Sequence, residues 1–481
     1  MRTHFCNSCG NLLLPGLERC PNCRMPLDGS VTSWKPVSKA EGPKVVSTEN
    51  SQAPYLPYEP RETQIQIISD IRNALDAGKH IVIESGTGTG KTITSLAGSL
   101  EHAKRTGKKV IYITRTISQS DQVMKELKAI STLKPVSGIT LTGRNKSCPL
   151  LQAREDFDSL SPNALSMLCS DRKQKSIQGH SGGCPYYDNI TQMRDMVEGF
   201  CKKNFPKSDE IDVYCRNLKV CPYELKKAMM EDFDVIVAPY IHIIDPDIRD
   251  NFLSSLGVEP ENIVLIVDEA HNLMDAVREQ ESFTINMRLV GSAHDECMAF
   301  SSAYVDDGVT IGDFVKCCRN AMRNLGAKNL GFNKKEALLE PGAFEQAVCA
   351  LLGVGTERLS IMVERLLELG EKREEAIADT EAPASPLLEF AELLKRWVKS
   401  PADRYVKAVK VNEDGEMLTA SCIDPVDIAK FMNSLKGAVH MSGTLQPLDN
   451  YAKVLGLPMN SVPRTYPSPF PKENKKVIYS K

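Results

Sequence analysis

The sequence lacks any apolar run that could cross a lipid bilayer. Its longest uncharged apolar stretch, Ile263 to Val267, has the length of a strand, whereas a membrane helix needs about 18 consecutive apolar residues. The N-terminal residues MRTHFCNSCG also lack the apolar core of a signal peptide. We therefore expect a cytoplasmic protein that does not contact a membrane.

A strong net charge and a strong compositional bias are missing as well. The 481 residues carry a net charge of only −3, so a surface for nucleic acid must be a local patch. With 42% hydrophobic and 25% charged residues, the composition is globular and excludes global disorder. A chain of this length predicts about three to four domains of roughly 100–200 residues.

Cysteine, in contrast, is abundant, with fifteen residues. In a long chain without a secretory signal, metal ligation is the first explanation to consider. Two CxxC pairs near the N-terminus can place four thiolates around one Zn²⁺, and a redox or chance pairing is the alternative. A module of about thirty residues cannot build a core unaided, so the metal would have to fold it. The predicted zinc ligands are Cys6, Cys9, Cys20 and Cys23.

Alternating strand and helix patterns begin after residue 55 and predict an α/β fold. Strand, helix and strand in this order imply a parallel sheet. The later gaps between strands are too long for simple crossovers, so we expect inserted domains, of which the second is mostly helical. The predicted elements are helices at 61–76 and 92–105 and strands at 80–84, 109–114, 233–238, 262–267 and 438–441.

A glycine-rich turn, SGTGTGKT, lies between the first of these strands and its helix. Backbone N–H groups of such a turn can surround a phosphate at the positive end of the helix. Lys91 would neutralise the β- and γ-phosphates of ATP, and the Thr92 hydroxyl would ligate Mg²⁺. Ser85 stands where the general pattern has its first glycine. The predicted phosphate-loop residues are Ser85, Gly86, Thr87, Gly88, Thr89, Gly90, Lys91 and Thr92.

An acidic motif, Asp268-Glu-Ala-His271, directly follows the strand that ends at Val267. A carboxylate at a strand end beside a phosphate loop can hold Mg²⁺, and Glu269 can polarise the attacking water. His271 is better placed to sense hydrolysis than to perform it. The sequence therefore predicts ATP hydrolysis by Lys91, Thr92, Asp268, Glu269 and His271, with Thr92 and Asp268 on the metal.

Four of these segments together resemble the motifs of a known enzyme class. SGTGTGKT at 85–92, Thr114-Arg-Thr116, DEAHN at 268–272 and SGTL at 442–445 resemble motifs I, Ia, II and III of superfamily 2 DNA helicases. The cysteine-bearing insertion between Ia and II makes the chain similar to XPD/DinG-type iron–sulfur helicases. The resemblance implies a RecA-like motor domain with an iron–sulfur domain and an arch domain. It also implies ATP-dependent 5′→3′ unwinding in DNA repair, on single-stranded and fork DNA.

The resemblance further implies ligands and base contacts. Four thiolates are what a 4Fe–4S cluster needs, and Cys201 or Cys215 is the alternative to Cys169 among them. Gln64 could hydrogen-bond adenine, with Arg61 nearby, or the two could simply begin a surface helix. Residues 144–228 hold 14 Lys and Arg against 11 Asp and Glu, which suits either a phosphate-contacting surface or a solvated face. The implied cluster ligands are Cys148, Cys169, Cys184 and Cys221.

The predicted domain order leaves the second motor domain of such a helicase unaccounted for. No motifs IV to VI are recognisable after Thr444, and a truncated product, a fragment of a longer chain and a split enzyme with the second motor domain on a separate chain are all compatible with the sequence. The alternative is a truncated or split-subunit module that binds ATP and DNA without unwinding activity of its own. The predicted segments are a zinc ribbon at 1–27, a linker at 28–54, motor domain 1 at 55–143, 229–279 and 401–470, the iron–sulfur domain at 144–228, the arch at 280–400 and a linker start at 471–481.

Overall fold

The computed structural model divides the chain into two compact units, Met1–Val46 and Ser47–Lys481. In the first unit, His4–Phe5 pairs antiparallel with Leu12–Leu13. The predicted zinc ligands Cys6, Cys9, Cys20 and Cys23 lie outside the described residues. Besides those two strands, the structure describes residues 51–153, 162–298, 303–331, 334–377 and 385–470.

The strands of the described residues belong to several separate sheets. In chain order they are β1 (His4–Phe5), β2 (Leu12–Leu13), β3 (Ile81–Ser85), β4 (Lys109–Thr114), β5 (Gly138–Thr140), β6 (Val235–Pro239), β7 (Ile263–Val267), β8 (Phe283–Asn286), β9 (Tyr304–Asp306), β10 (Val309–Thr310), β11 (Glu336–Leu338), β12 (Tyr405–Asn412), β13 (Gly415–Cys422), β14 (Ala438–Ser442) and β15 (Val462–Tyr466).

The helices of the second unit follow the same order along the chain. They are α1 (Glu62–Asp76), α2 (Lys91–Thr106), α3 (Ile117–Ile130), α4 (Arg144–Ser147), α5 (Pro149–Gln152), α6 (Pro162–Ile177), α7 (Ile190–Asn204), α8 (Ser208–Asn217), α9 (Pro222–Met229), α10 (Ile241–Ile244), α11 (Pro246–Leu256), α12 (Leu273–Glu281), α13 (Met287–Cys297), α14 (Ile311–Asn329), α15 (Ala343–Leu352), α16 (Thr356–Ile377), α17 (Pro386–Lys399), α18 (Val426–Ser434) and α19 (Leu448–Val454).

A seven-stranded parallel sheet forms the centre of the second unit, with the strand order β15-β3-β14-β7-β4-β6-β5. All five strands predicted from the sequence belong to it, so the predicted α/β fold is confirmed. Strands β5 and β15 were not predicted. The three residues of β5 are too few for a periodic signal, and the VPRTY sequence of β15 carries a proline and several exposed side chains.

The two faces of this sheet pack against different layers because side chains alternate along each strand. Val264 and Ile266 join a core that includes Leu96 and Leu100 of α2. Leu265, between them, joins the opposite core, to which the cysteine-bearing insertion also contributes. Continuing the alternation, Asp268 belongs to the face that α2 covers. The phosphate-loop helix and the DEAH carboxylate thus lie on the same side of the sheet.

A second sheet, antiparallel and with the order β11-β12-β13-β8, packs with helices α13 to α17 around the buried Trp397. Strands β12 and β13 lie in the 401–470 segment that the sequence analysis assigns to the motor domain, yet they pair with β11 and β8. Their inward side chains, Val409, Leu418 and Ala420, complete the core of this helical module. Helical periodicity predicts a mostly helical module here, and the sheet was not predicted.

None of the described helices is by itself both long and apolar enough to span a bilayer. One pair, Ala343–Leu352 with Thr356–Ile377, meets the length and composition test only jointly, and the two helices are bent by 89°. Their apolar side chains Val348, Leu359 and Leu366 are buried in the core of the helical module.

Candidate nucleotide site, cysteine cavity and basic cleft

The predicted phosphate loop connects the carboxyl end of β3 to the first turn of α2. Gly88 and Gly90 have φ values of 86° and 79°, in the left-handed region that glycine adopts without steric cost. Within the loop, the buried Ser85 hydroxyl donates to Thr89 Oγ1 at 2.6 Å. Thr89 in turn donates to the Gly86 carbonyl at 2.9 Å. Ser85, which replaces the first glycine of the general pattern, therefore stabilises the loop through its hydrogen bond to Thr89.

Lys91 begins helix α2 at the mouth of this loop. Its Nζ atom lies 3.5 Å from the Ser85 carbonyl oxygen, so the ammonium folds back over the loop. A Cβ atom on Gly443 would lie 3.6 Å from the same nitrogen. The segment after β14 therefore passes directly beside the lysine that we predict to bind phosphate.

The predicted adenine-side residues contact the phosphate loop from helix α1. Arg61 donates to the Gly88 carbonyl at 3.0 Å, and Gln64 donates to the Thr89 carbonyl at 3.2 Å. Gln64 also accepts from the Arg61 backbone N–H at 3.2 Å, which caps the helix. Both side chains therefore hydrogen-bond to the loop and hold it against helix α1.

Residues after β15 cover the outer side of the phosphate loop, a contact that the sequence analysis did not predict. The Ser468 hydroxyl donates to the Thr87 carbonyl at 2.9 Å. A Cβ atom on Gly88 would lie 2.3 Å from the exposed Phe470 ring, so a side chain at this position would have to displace the ring. Strand β15 places this segment because it pairs in parallel with β3.

Asp268 follows β7 and is 7% exposed, with its backbone N–H bonded to the Ile113 carbonyl at 3.1 Å. Burial, together with the neighbouring Glu269 charge, raises the pKa of Asp268 to about 6. Glu269 has a φ of 46°, which costs energy for a residue with a side chain and is often found at functional sites. The Tyr240 hydroxyl bonds to the backbone carbonyls of both acidic residues and stabilises this turn.

Ser442 joins the DEAH segment to the strand that carries the SGTL segment. Its buried hydroxyl donates to Glu269 Oε2 at 3.1 Å and lies 2.6 Å from His271 Nδ1. His271 Nδ1 also lies 3.3 Å from the same Glu269 oxygen. Strand β14 lies between β3 and β7, so the sheet order brings together the predicted motifs I, II and III.

Three of the predicted cluster ligands, Cys148, Cys169 and Cys184, line one cavity of about 80 Å³, which we call the cysteine cavity. Cys221 is buried, and its backbone N–H bonds to the Tyr186 carbonyl at 2.7 Å. Burial raises the pKa of Cys221 to about 12, and charges on Cys148 and Cys169 act in the same direction. Like Cys221, the alternative ligands Cys201 and Cys215 do not line the cavity, but they belong to the large core of the unit and not to the small core around Cys148.

Cys148 and Cys221 have matching backbone settings. Each precedes a helix that starts with proline, with φ and ψ of −75° and 115° at Cys148 and −68° and 113° at Cys221. Proline suits the first helical position because its missing N–H has no partner there. These two Cys-Pro pairs are therefore helix starts that present a cysteine at the N-terminus.

Within the residues that the structure describes, no three His, Cys, Asp or Glu side chains gather closely enough to hold a single metal ion. A 4Fe–4S cube makes a looser demand, because each of its four thiolates binds a different iron. The donors around the cysteine cavity are soft thiolates in an apolar setting that includes Leu150, Leu151 and Leu168, which fits such a cluster. Thr92 and Asp268 offer hard oxygens, which fit Mg²⁺ completed by phosphate and water.

A basic cleft of about 600 Å³ opens beside the cysteine cavity, and the sequence analysis named none of its residues as a site. The Arg144 guanidinium lies 5.0 Å and the Lys227 ammonium 5.9 Å from the centre of the Tyr223 ring. Lys173 also lines the cleft and pairs with Glu224 at 3.1 Å. The small positive excess of residues 144–228 was the only sequence signal for it. We define the basic cleft by Arg144, Lys173, Tyr223 and Lys227.

Three models of known families match the chain. They are DEAD_2 over residues 112–290, the helical and beta-bridge domain over 293–481, and DEAD/DEAH box helicase over 61–161. The DEAD_2 match spans β4 to α13 and so includes the cysteine cavity, the basic cleft and the DEAH segment.

Similar curated proteins are helicases. The chain is 28% identical over 298 residues to a regulator of telomere elongation helicase 1 homolog of Anopheles gambiae, covering 53% of this chain and 28% of that protein. It is 26% identical to the XPD subunit of general transcription and DNA repair factor IIH of Schizosaccharomyces pombe, covering 46% and 30%. It is also 26% identical to a regulator of telomere elongation helicase 1 homolog of Arabidopsis thaliana, covering 84% and 43%. The chain thus spans less than half the length of these relatives.

Solved structures share the fold. One described as an XPD helicase matches with a TM-score of 0.53 at 18% identity, covering 85% of this chain and 62% of that chain. One described as truncated XPD matches with a TM-score of 0.51 at 18% identity, covering 84% and 99%.

Proposed function

Because this chain belongs to the XPD-type helicases of superfamily 2, we propose that it is the ATP-hydrolysing, DNA-binding part of a 5′→3′ DNA helicase that acts in DNA repair. The observation that carries the proposal is the meeting of three segments at the carboxyl ends of adjacent strands. Strands β3, β14 and β7 end in the phosphate loop, Ser442 and the DEAH segment, in that order across the sheet.

In the proposed reaction, the phosphate loop binds ATP through its backbone N–H groups and Lys91 neutralises the phosphate charge. Thr92 and Asp268 are the residues that would hold Mg²⁺, which neutralises the charge developing on the phosphates when it is bound. Glu269 orients and polarises the attacking water. Its hydrogen bond from Ser442 fixes the orientation of the carboxylate.

We propose that the basic cleft contacts single-stranded DNA. Arg144, Lys173 and Lys227 can bind phosphates, and the half-buried Tyr223 ring offers a surface on which a base can stack. The cleft is bounded on one side by the insertion and on the other by α10 and α11 of the motor domain, through His242 and Phe252. DNA in the cleft would therefore touch both parts, as coupling between hydrolysis and movement requires.

We further propose that Cys148, Cys169, Cys184 and Cys221 hold a 4Fe–4S cluster whose role is to stabilise the insertion. The cysteine cavity lies in a small satellite core formed by Cys148, Leu151 and Leu165. So small a core gains much from a cluster that joins four chain segments. The zinc site at Cys6, Cys9, Cys20 and Cys23 and the cytoplasmic location stay predictions from the sequence.

The test uses the full chain and three variants. Lys91→Ala should weaken Mg-ATP binding at least tenfold, which is about 1.4 kcal/mol, whereas the exposed Lys125→Ala on α3 should not. Glu269→Gln should keep nucleotide binding and lose hydrolysis by about 10²–10⁴-fold. Wild-type affinity in Lys91→Ala would contradict the nucleotide site.

DNA polarity is tested on fork duplexes with a single 5′ or 3′ overhang. Strand separation that depends on ATP and on the 5′ overhang supports the 5′→3′ helicase. ATP and DNA binding without strand separation supports the alternative, a binding module that needs a second chain. A chain that binds neither Mg-ATP nor single-stranded DNA would contradict both.

A further inference from the structure

Tyr112, in the middle of strand β4, is fully buried, and its hydroxyl lies close to Thr92, Ser95 and Asp268 without a hydrogen bond of ordinary geometry to any of them. A buried O–H group without a partner is costly, because it has given up its hydrogen bonds to water. Phenylalanine would fill the same space without that cost. The presence of tyrosine therefore calls for a partner that the hydroxyl meets in another state of the protein.

Strand register places the Tyr112 side chain beside the proposed magnesium site. Tyr112 lies opposite Ile266 on the neighbouring strand β7. Asp268 is two residues further along on the same face of the sheet. The face is covered by helix α2, whose first five residues include Thr92 and Ser95. The hydroxyl thus lies beneath the two residues that we propose to bind the cation.

The Tyr112 hydroxyl is a phenol O–H and can donate one hydrogen bond. Asp268 Oδ1 already accepts from the Glu269 backbone N–H at 3.0 Å, which fixes one side of the carboxylate. A second hydrogen bond, from the Tyr112 hydroxyl, would hold the other side of the Asp268 carboxylate and fix its rotation about the Cβ–Cγ bond.

We propose that Tyr112 is a positioning residue for the magnesium site: its hydroxyl donates to the Asp268 carboxylate when that group faces the cation. This inference rests on the proposed ATP site. Partners that orient a ligating carboxylate raise metal affinity without touching the metal. Removing the hydroxyl should therefore weaken the response to Mg²⁺, while the phosphate loop and Lys91 continue to bind the nucleotide alone.

The experiment compares the full wild-type chain with Tyr112→Phe, which keeps the ring and removes one oxygen. Binding of a fluorescent ADP analogue is measured without metal and during a titration with MgCl₂. We expect the Mg²⁺ concentration at half-saturation to rise about tenfold, with metal-free affinity for the analogue unchanged within about twofold. Tyr405→Phe, the same change in the antiparallel sheet, should leave both quantities unaltered.

The possible outcomes separate this inference from the proposed function. If the wild-type chain binds the analogue without any response to Mg²⁺, the proposed magnesium site is wrong and the role of Tyr112 is refuted with it. If the wild-type chain responds and Tyr112→Phe responds equally, only the role of Tyr112 is refuted. A parallel loss of metal-free affinity and thermal stability in Tyr112→Phe would also refute it, because a packing role produces that pattern.

Discussion

The Ser442 hydroxyl donates a hydrogen bond to the Glu269 carboxylate across 3.1 Å and so joins the end of β14 to the end of β7. A hydroxyl has one proton, so His271 Nδ1, 2.6 Å from the same oxygen, acts as a donor in this arrangement. Beyond Ser442, the backbone N–H groups of Leu445 and Gln446 donate to Glu84 at the end of β3. A movement of the Glu269 carboxylate can therefore be transmitted through these hydrogen bonds to β3, the strand that leads into the phosphate loop.

Ser442→Ala should leave nucleotide binding intact and reduce DNA-stimulated ATP turnover. The serine does not contact the proposed phosphate-binding groups, so Mg-ATP affinity should stay within about twofold of wild type. Loss of a hydrogen bond to a charged group costs about 1.5–3 kcal/mol, which predicts at least a tenfold fall in DNA-stimulated ATP turnover. The measurement is turnover with and without single-stranded DNA, with Ser255→Ala on α11 as the control. Undiminished stimulation would show that the Ser442 contact has no such role.

The colour of the protein distinguishes variants of the proposed cluster ligands from variants of the other cysteines. Protein purified without oxygen should be brown and contain about four irons per chain. Cys148→Ser, Cys169→Ser and Cys221→Ser should each remove most of the iron, because each takes away one of four thiolates. The measurement is the visible absorption spectrum together with elemental analysis.

Cys201→Ser and Cys215→Ser are the matched controls for this prediction, because both side chains are buried in the same insertion away from the cysteine cavity. Burial raises the pKa of each thiol to about 12, as it does for Cys221, so the two controls differ from the proposed ligands in position and not in pKa. They should keep the iron. Iron loss in Cys215→Ser with full retention in Cys169→Ser would exchange the assignment of the two residues.

The strands and motifs of the parallel sheet could be predicted because their signals are local. The apolar run Ile263–Val267 predicts a buried strand. The DEAH segment follows it directly, so the motif must lie at the carboxyl end of that strand. In the antiparallel sheet, the pairing of Tyr405–Asn412 with Glu336–Leu338, about seventy residues earlier, has no local signal. The hairpin that joins Tyr405–Asn412 to Gly415–Cys422 does have one, an Asp-Gly turn, and it was overlooked. The lysine-rich sequence YVKAVKVN of Tyr405–Asn412 gives only a weak alternation of apolar and polar residues.

The types of residue in the candidate site could be predicted from the sequence, but the contacts between those residues could not. Lys91 and Asp268 follow from motif chemistry, whereas the cover of Gly88 by Phe470 depends on the pairing of β15 with β3. The basic cleft was missed for a similar reason. Arg144 and Tyr223 are far apart in sequence, and only the helix start at Pro222 brings the ring under the guanidinium.

Acid should destabilise the parallel sheet through two buried histidines. His80 Nδ1 lies 3.4 Å from His440 Nε2, and His440 Nδ1 lies 3.0 Å from the Tyr451 hydroxyl. Burial lowers the pKa of His80 to about 4 and holds the pKa of His440 well below its usual value. In the unfolded chain both take up protons near pH 6.5, so stability present above that pH is lost as the pH falls toward 4.

The expected loss for His80 alone is about 3 kcal/mol between pH 7 and pH 4. The measurement is the free energy of unfolding in urea at several pH values, compared with a His80→Gln, His440→Gln double variant. The variant should be less dependent on pH between 6.5 and 4, because glutamine does not titrate. An equal dependence in both proteins would assign the acid sensitivity to other groups.

Variants of the basic cleft should change DNA binding in two distinguishable ways. Arg144→Ala removes a cation that we propose to contact a phosphate, and Tyr223→Ala removes a ring that we propose to stack on a base. Each should weaken binding of single-stranded DNA by about 1–3 kcal/mol at low salt. Lys203→Ala, which changes a lysine of the same insertion that does not line the cleft, should have little effect.

The dependence on salt tells the two roles apart. Binding that releases counterions weakens with salt in proportion to the number of phosphates contacted. Arg144→Ala should therefore reduce the slope of log affinity against log salt by about 0.7 for single-stranded DNA. Tyr223→Ala should leave that slope unchanged while lowering affinity at every salt concentration, because stacking releases no counterions. If Tyr223→Ala reduces the slope as Arg144→Ala does, the ring acts by holding Arg144 in place, and direct stacking on a base is contradicted.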